Sequence, residues 1–247
     1  MGIFAAVLSS CCNQTEEKAW VVDRFDDIKV IRYEVPGFEE LPLQEKILIY
    51  YLSEAAKCGR DIMFDQNFKY NLAVRRTLEA IYTSHEGCRE CEEWKAMETY
   101  LKKVWFANGI HHHYSNDKFK PEFSEAWFRE QLAQFINDEN RQIEDDLLCK
   151  ILFDETLYAS RLNQTAGVDC IAESAGNYYE GVTQAEVEAF YAAMIAADEG
   201  NPEPISYGLN SKLMRDAEGN LYEKVWKVGG MYTEALEQIV YWLEKAA

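Results

Sequence analysis

Positive charge is scarce in this sequence, and several familiar signatures of function are missing from it. The 247 residues carry 25 Lys and Arg against 43 Asp and Glu, which gives a formal net charge of −18. A nucleic-acid partner requires a basic face that neutralises phosphates, so we expect none. No stretch approaches the roughly 18 apolar residues of a transmembrane span. The sequence also lacks a Walker loop, a G-x-G-x-x-G turn and a G-x-S-x-G elbow.

The seven cysteines are an odd number, scattered along the chain, and do not indicate a disulfide framework. One of them, Cys11, lies in the opening "MGIFAAVLSSCCNQTEEK". Its context of Leu, small, small, Cys resembles a bacterial lipoprotein cleavage box. We therefore expect residues 1–19 to be a lipoprotein-signal-like segment with a polar leader, and the protein to be exported and lipid-anchored in a bacterial envelope through Cys11. Because the apolar run is short and has no basic residue before it, the alternative is a frayed N-terminus of a cytoplasmic protein.

Hydrophobic periodicity predicts a mainly α fold with a minor β component, that is, α+β. A strand is expected over 28–35, and two short strands should flank the turn Asp216–Asn220. Thr183 and Glu186 form a capping box that should open a helix ending near Ala197. Helices are expected over residues 42–58, 66–83, 91–106, 124–137, 140–160, 184–197 and 231–247.

The last predicted helix places five apolar side chains on one face: Tyr232, Leu236, Ile239, Val240 and Leu243. It ends at "EKAA" without a capping glycine or a proline. We expect residues 20–247 to form a single incomplete domain that is truncated in this C-terminal helix. The apolar face should then contact missing C-terminal segments of the same chain.

Three of the four histidines are adjacent in "NGIHHHYSNDKFKPEF", residues 108–123. Neighbouring side chains diverge on a strand or a helix, so three in a row cannot all face one ion, and we assign no metal ligand. A loop that lines a substrate cleft and a merely structural loop remain open alternatives. In the first, Gly109 makes a left-handed turn, Asp117 and Lys118 fix the loop by ion pairing, and Tyr114 and one histidine face inward. The cleft candidates are Asn108, Gly109, His111, His112, His113, Tyr114, Asp117 and Lys118.

The fourth histidine, His85, begins the stretch "HEGCREC". The stretch starts like the zinc motif H-E-x-x-H, but Arg89 occupies the position of the second histidine. Cys88 and Cys91 have C-x-x-C spacing without a second pair that would complete four ligands. We predict a surface loop between two helices, and we assign no catalytic residue anywhere in the chain.

Longer stretches carry a resemblance that the short motifs do not. The segments "VVDRFDDIKVIRYEVPGFEELPLQEKILIYYLSEAAKCGRDIMFDQNFKYNLAVRRTLEAIY", "VWFANGIHHHYSNDKFKPEF", "NYYEGVTQAEVEAFY" and "VWKVGGMYTEALEQIVYWLEKAA" resemble the N-terminal part of a bacterial, Bacteroides-like dipeptidyl peptidase III. The resemblance covers about residues 20–247. The family comprises zinc metallopeptidases that release dipeptides from the N-terminus of short peptides.

The resemblance implies a two-lobed fold in which zinc is held by an H-E-x-x-G-H motif and a further glutamate. None of the four histidines here begins that motif. The chain would therefore be the N-terminal part of the non-zinc lobe, without zinc and inactive alone, while its intact parent would be a zinc-dependent hydrolase acting on short peptides. The alternative is a stand-alone exported helical lipoprotein that binds a peptide or a protein partner.

Overall fold

A computed structural model describes residues 20–247, and the chain divides into two compact units, the first ending at Pro42 and the second beginning at Leu43. Residues 1–19, with the proposed lipidation site at Cys11, lie outside the described residues. The boundary predicted at residue 20 and the single incomplete domain stay predictions.

The first unit contains an antiparallel hairpin of β1 (Val21–Phe25) and β2 (Ile28–Ile31). Asp26 turns the chain between them with a φ of 48°. The strand predicted over 28–35 is therefore shorter than expected. Beyond the last paired residue of β2, the Arg32 amide donates to the Trp20 carbonyl at 2.8 Å. A 3₁₀ turn follows at Phe38–Glu40.

The second unit is mainly helical, as predicted, and carries a minor β component. Its helices are α1 (Leu43–Cys58), α2 (Arg60–Asn67), α3 (Asn71–Ser84), α4 (Glu92–Ala107), α5 (Glu125–Phe135), α6 (Asp145–Phe153), α7 (Gln184–Ala197) and α8 (Thr233–Ala246). In the described part of the chain, no helix combines the length and apolarity that a membrane span requires.

The main hydrophobic core lies among α3, α4, α5 and α6. In α4 the buried Trp94, Met97, Leu101 and Val104 recur every three or four residues, so they form one stripe that faces the neighbouring helices. Each such side chain contributes about 1.5–3 kcal/mol when it is removed from water. The helix ends at Asn108, which takes a left-handed conformation with φ 53° and ψ 43°.

The expected helix over 66–83 is instead two helices with a break between them. Phe68 is extended, with φ −169° and ψ 132°, and its ring is fully buried in the core. Asn71 holds the break closed, because its Nδ2 donates to the Phe64 carbonyl at 3.0 Å. The helix expected over 140–160 is also shorter and ends at Phe153. Asp154 terminates it by accepting hydrogen bonds from the backbone amides of Thr156 and Leu157.

A three-stranded sheet packs against α7. Its β3 (Tyr179–Glu180) runs parallel to β4 (Ser211–Arg215), and β4 pairs antiparallel with β5 (Leu221–Val225). The predicted capping box is confirmed. The Glu186 amide donates to Thr183 Oγ1, and the Thr183 amide donates to the Glu186 carboxylate at 2.9 Å. The prediction of two strands around the turn 216–220 is confirmed as well.

Helices α1 and α8 pack against each other and leave apolar side chains on the surface. Tyr51 stacks on Trp242 with ring centroids 5.9 Å apart. Ala55 is the buried residue of α1, whereas Val240 and Leu243 of α8 are 42% and 45% exposed. Further exposed apolar residues of α1 are Leu43, Ile47, Leu48, Ile49, Tyr50 and Leu52. The apolar face predicted for the last helix is thus only partly covered by α1.

Candidate functional site

The histidine loop, residues 108–123, begins with a tight contact between Gly109 and α3. Gly109 has a φ of +148°, and a Cβ at this position would lie 2.1 Å from Asn71 Nδ2. Asn71 is fully buried, and its Oδ1 accepts a hydrogen bond from the Ile110 amide at 3.0 Å. Asn108 takes the αL conformation at the end of α4, and Gly109, which we expected to make this turn, follows it with a positive φ of its own. Glycine is required at position 109 because nothing larger fits against Asn71.

His111 is the inward-facing histidine of the loop and is only 3% exposed. Its Nε2 donates to the Tyr158 carbonyl at 2.8 Å, so Nε2 carries the proton of the neutral ring. Its ring meets that of Phe68 edge to face at 5.6 Å. Burial, followed by the positive charges of Lys118 and Arg161, lowers the pKa of His111 to about 4. This histidine therefore belongs to the folded core and is neutral near pH 7.

The other predicted loop residues lie further out. His112 and His113 stack on each other at 4.6 Å, and the His112 Nδ1 accepts hydrogen bonds from the amides of Tyr114 and Ser115. Tyr114 is 82% exposed, so the expectation that it faces inward is wrong. Its ring lies against His113 on the outside of the loop, with centroids 4.2 Å apart.

Lys118 anchors the far end of the loop. We expected it to fix the loop by ion pairing, but its ammonium donates instead to the carbonyls of Ile151, Asp154 and Leu157, at the end of α6. Burial lowers the pKa of this ammonium. A helix end has carbonyls without intrahelical partners, which explains why a lysine binds there. The loop is thus attached to α3 by its first residues and to α6 by its last.

The stretch "HEGCREC" forms the predicted loop between α3 and α4. His85 stacks on Trp94 at 4.1 Å, and its Nδ1 lies 3.1 Å from Gln131 Oε1. Cys91 precedes the first residue of α4, and its thiol donates to the Cys88 carbonyl. Within residues 20–247, no three His, Cys, Asp or Glu side chains are grouped in a way that would hold a metal ion.

A cavity of about 290 Å³ adjoins the loop and was not foreseen from the sequence. Its polar end is formed by Arg161, Asn67 and Asn116. The Arg161 guanidinium donates from Nε and Nη2 to Asn116 Oδ1, at 3.0 and 2.8 Å, and from Nη1 to Asn67 Oδ1 at 2.9 Å. The remaining lining residues are Leu162, Cys170, Ile171, Ser174, Gly176, Tyr178 and Tyr179.

Backbone pairing holds this polar end in place. The Arg161 amide donates to the Asn116 carbonyl at 2.8 Å, and the Gly176 amide donates to the Arg161 carbonyl at 3.1 Å. Asn116 has a φ of 66°, a left-handed conformation that asparagine tolerates better than most residues. Of the predicted cleft candidates none lines this cavity, although Asp117 and Lys118 line a separate one of about 540 Å³.

One sequence signal could have pointed to Arg161. It is the one charged residue between Glu155 and Asp169, in a chain with 43 acidic residues. A cation without acids nearby in sequence has no local partner to form an ion pair. Comparison of the chain with known protein families finds no match, and comparison with functionally characterised proteins finds none.

Proposed function

We propose that this chain supplies the N-terminal part of the non-zinc lobe of a dipeptidyl peptidase III-like enzyme, whose intact form removes dipeptides from short peptides with the help of zinc. The observation that carries the proposal is the resemblance of long segments spread over residues 20–247. The mainly helical fold with a small sheet is compatible with such a lobe. The zinc ligands and the general base of that enzyme would lie outside residues 1–247.

The surface of α1 and α8 adds support to the proposal. Helices that are apolar on most sides are usually buried. In α1 the run from Ile47 to Leu52 is apolar throughout, yet most of these side chains are exposed. In the proposed enzyme this surface contacts other parts of the same polypeptide.

Sequencing the gene downstream of codon 247 tests the proposal directly. We expect an H-E-x-x-G-H motif in the same reading frame. The protein expressed from that frame should bind zinc and release dipeptides from a dipeptidyl 2-naphthylamide. An uninterrupted frame without that motif, or a zinc-free inactive product, would contradict the proposal.

The alternative is a stand-alone binding module, exported as a lipoprotein, and the cavity at Arg161 favours it. A concave, mostly apolar site with a few fixed polar groups is typical of ligand binding. A stop codon directly after codon 247 in the natural gene would support this alternative. Detection of a lipid on Cys11 by mass spectrometry of the membrane fraction would test the export that both functions allow.

A further inference from the structure

Arg161 makes no ion pair with any residue of the described chain, although the protein is strongly acidic. Its three hydrogen bonds all go to neutral amide oxygens of Asn67 and Asn116. By contrast, Arg75, Arg129 and Arg215 each contact a carboxylate. A guanidinium has five N–H groups, so two remain without a protein partner. These two can bind a ligand.

The surroundings of Arg161 suit one class of ligand. Among the described residues that line the cavity, Arg161 is the only charged one, and the lining is otherwise mostly apolar. Tyr178 and Tyr179 also line it, and neither hydroxyl forms a hydrogen bond within residues 20–247. The volume of about 290 Å³ is at the lower end for small-molecule sites.

We propose that this cavity binds a small monocarboxylate with an apolar body. The carboxylate accepts the two remaining guanidinium N–H groups in charge-assisted hydrogen bonds, which are stronger than neutral ones. Leu162 and Ile171 provide apolar surface for the body of the ligand. One guanidinium balances one negative charge, so a phosphate dianion would keep an uncompensated charge in a mostly apolar cavity.

Long-range electrostatics do not favour this ligand, which makes the local contacts decisive. A net charge of −18 repels anions from the protein as a whole. An anion that binds at Arg161 therefore does so through the guanidinium itself. The proposal concerns a binding site only and holds whether the chain acts within a peptidase or alone.

The test is a titration of the full 247-residue chain with phenylacetate, in which binding is measured by isothermal titration calorimetry and by changes in amide chemical shifts. The matched neutral probe is phenylacetamide, which has nearly the same shape. We expect phenylacetate to bind at least about tenfold more tightly, because hydrogen bonds to charged groups exceed neutral ones. Inorganic phosphate should not compete. Equal binding of both probes, or no binding of phenylacetate, would overturn the proposal.

A pair of substitutions at Leu162 separates ligand binding from folding. Leu162 lines the cavity and is 42% exposed, so replacing it should not unfold the protein. Leu162→Glu places a tethered carboxylate beside Arg161 and should abolish phenylacetate binding. Leu162→Gln has a similar size and removes the same apolar surface without adding a charge, so it should weaken phenylacetate binding far less than Leu162→Glu. If the two variants bind phenylacetate equally, Arg161 is only a structural link between Asn67 and Asn116.

The source of the carboxylate is distinguished by a second pair of probes. N-acetylglycylphenylalanine carries a peptide C-terminal carboxylate. N-acetylglycylphenylalaninamide, the second probe of the pair, has an amide there and lacks the charge. Tighter binding of the free peptide than of phenylacetate would identify a peptide C-terminus as the ligand. Binding of phenylacetate alone would identify a small free acid, and failure of both acids would refute the site.

Discussion

The buried imidazole of His111 should make the stability of the protein depend on pH in a defined window. Its pKa is about 4 in the folded state and near 6.5 in an unfolded chain. Above pH 6.5 the ring is neutral in both states. Between pH 6.5 and about 4 the unfolded chain binds a proton that the folded chain does not, so acidification favours unfolding. At about 1.36 kcal/mol per pH unit, the full loss is about 3 kcal/mol.

The assay compares the urea unfolding of wild type and His111→Gln at several pH values from 4 to 7.5, with circular dichroism as the measure of unfolding. A glutamine amide can still donate to the Tyr158 carbonyl but does not titrate. The variant should therefore lose less stability than wild type as the pH falls, by up to about 3 kcal/mol at pH 4. Tyr114→Ala, an exposed change in the same loop, should keep the wild-type pH dependence. Identical pH profiles for wild type and His111→Gln would refute the assignment of a neutral, buried imidazole.

Three further predictions concern the backbone, a helix cap and metal binding. Gly109→Ala should lower the free energy of unfolding by well over 1 kcal/mol in urea titrations, because the added methyl group meets Asn71 and the φ is positive. The control is Gly219→Ala, which also has a positive φ but whose Cβ would meet open space, and it should cost roughly 1 kcal/mol. Equal losses for the two variants would contradict the packing argument. Thr183→Ala should cost about 1 kcal/mol, measured in the same way, since it removes a side-chain acceptor at the start of α7. After dialysis against a chelator, atomic absorption should find no stoichiometric zinc in the 247-residue chain. Zinc retained at one ion per chain would contradict the prediction that this chain has no set of zinc ligands.

The helices with clear local signals were predictable from the sequence. The bounds of α1, α4 and α7 agree with expectation to within a residue or two, because each has caps or a steady apolar period. The break at Phe68 was missed because it depends on a tertiary contact. No glycine or proline marks it, and the Asn71 side chain that closes it also accepts a hydrogen bond from the Ile110 amide, 39 residues further along the chain. Such long-range causes leave no local pattern.

The candidate site shows the same limit. The composition of the histidine loop suggested a cleft, and the sequence could not reveal that Lys118 binds the end of α6 or that Tyr114 points to solvent. Arg161 lies 45 residues from Asn116 and 94 from Asn67 in sequence. Only folding brings the three side chains together. The absence of acidic neighbours around Arg161 was a usable signal, but it indicates an unusual cation and not its partners.

The hydrogen bond from the Tyr232 hydroxyl to Asp65, 2.5 Å long, joins residues 167 positions apart. At about 5–20 residues per second, a ribosome needs roughly 8 to 33 s to proceed from one to the other. Helix α1 precedes Asp65 in the chain. Helix α8 follows Tyr232 and covers part of the apolar surface of α1. Throughout this interval α1 is available to chaperones and to other nascent chains. Within the second unit α1 is synthesised first and its partner α8 last, so the apolar side chains of α1 wait longest for a partner helix.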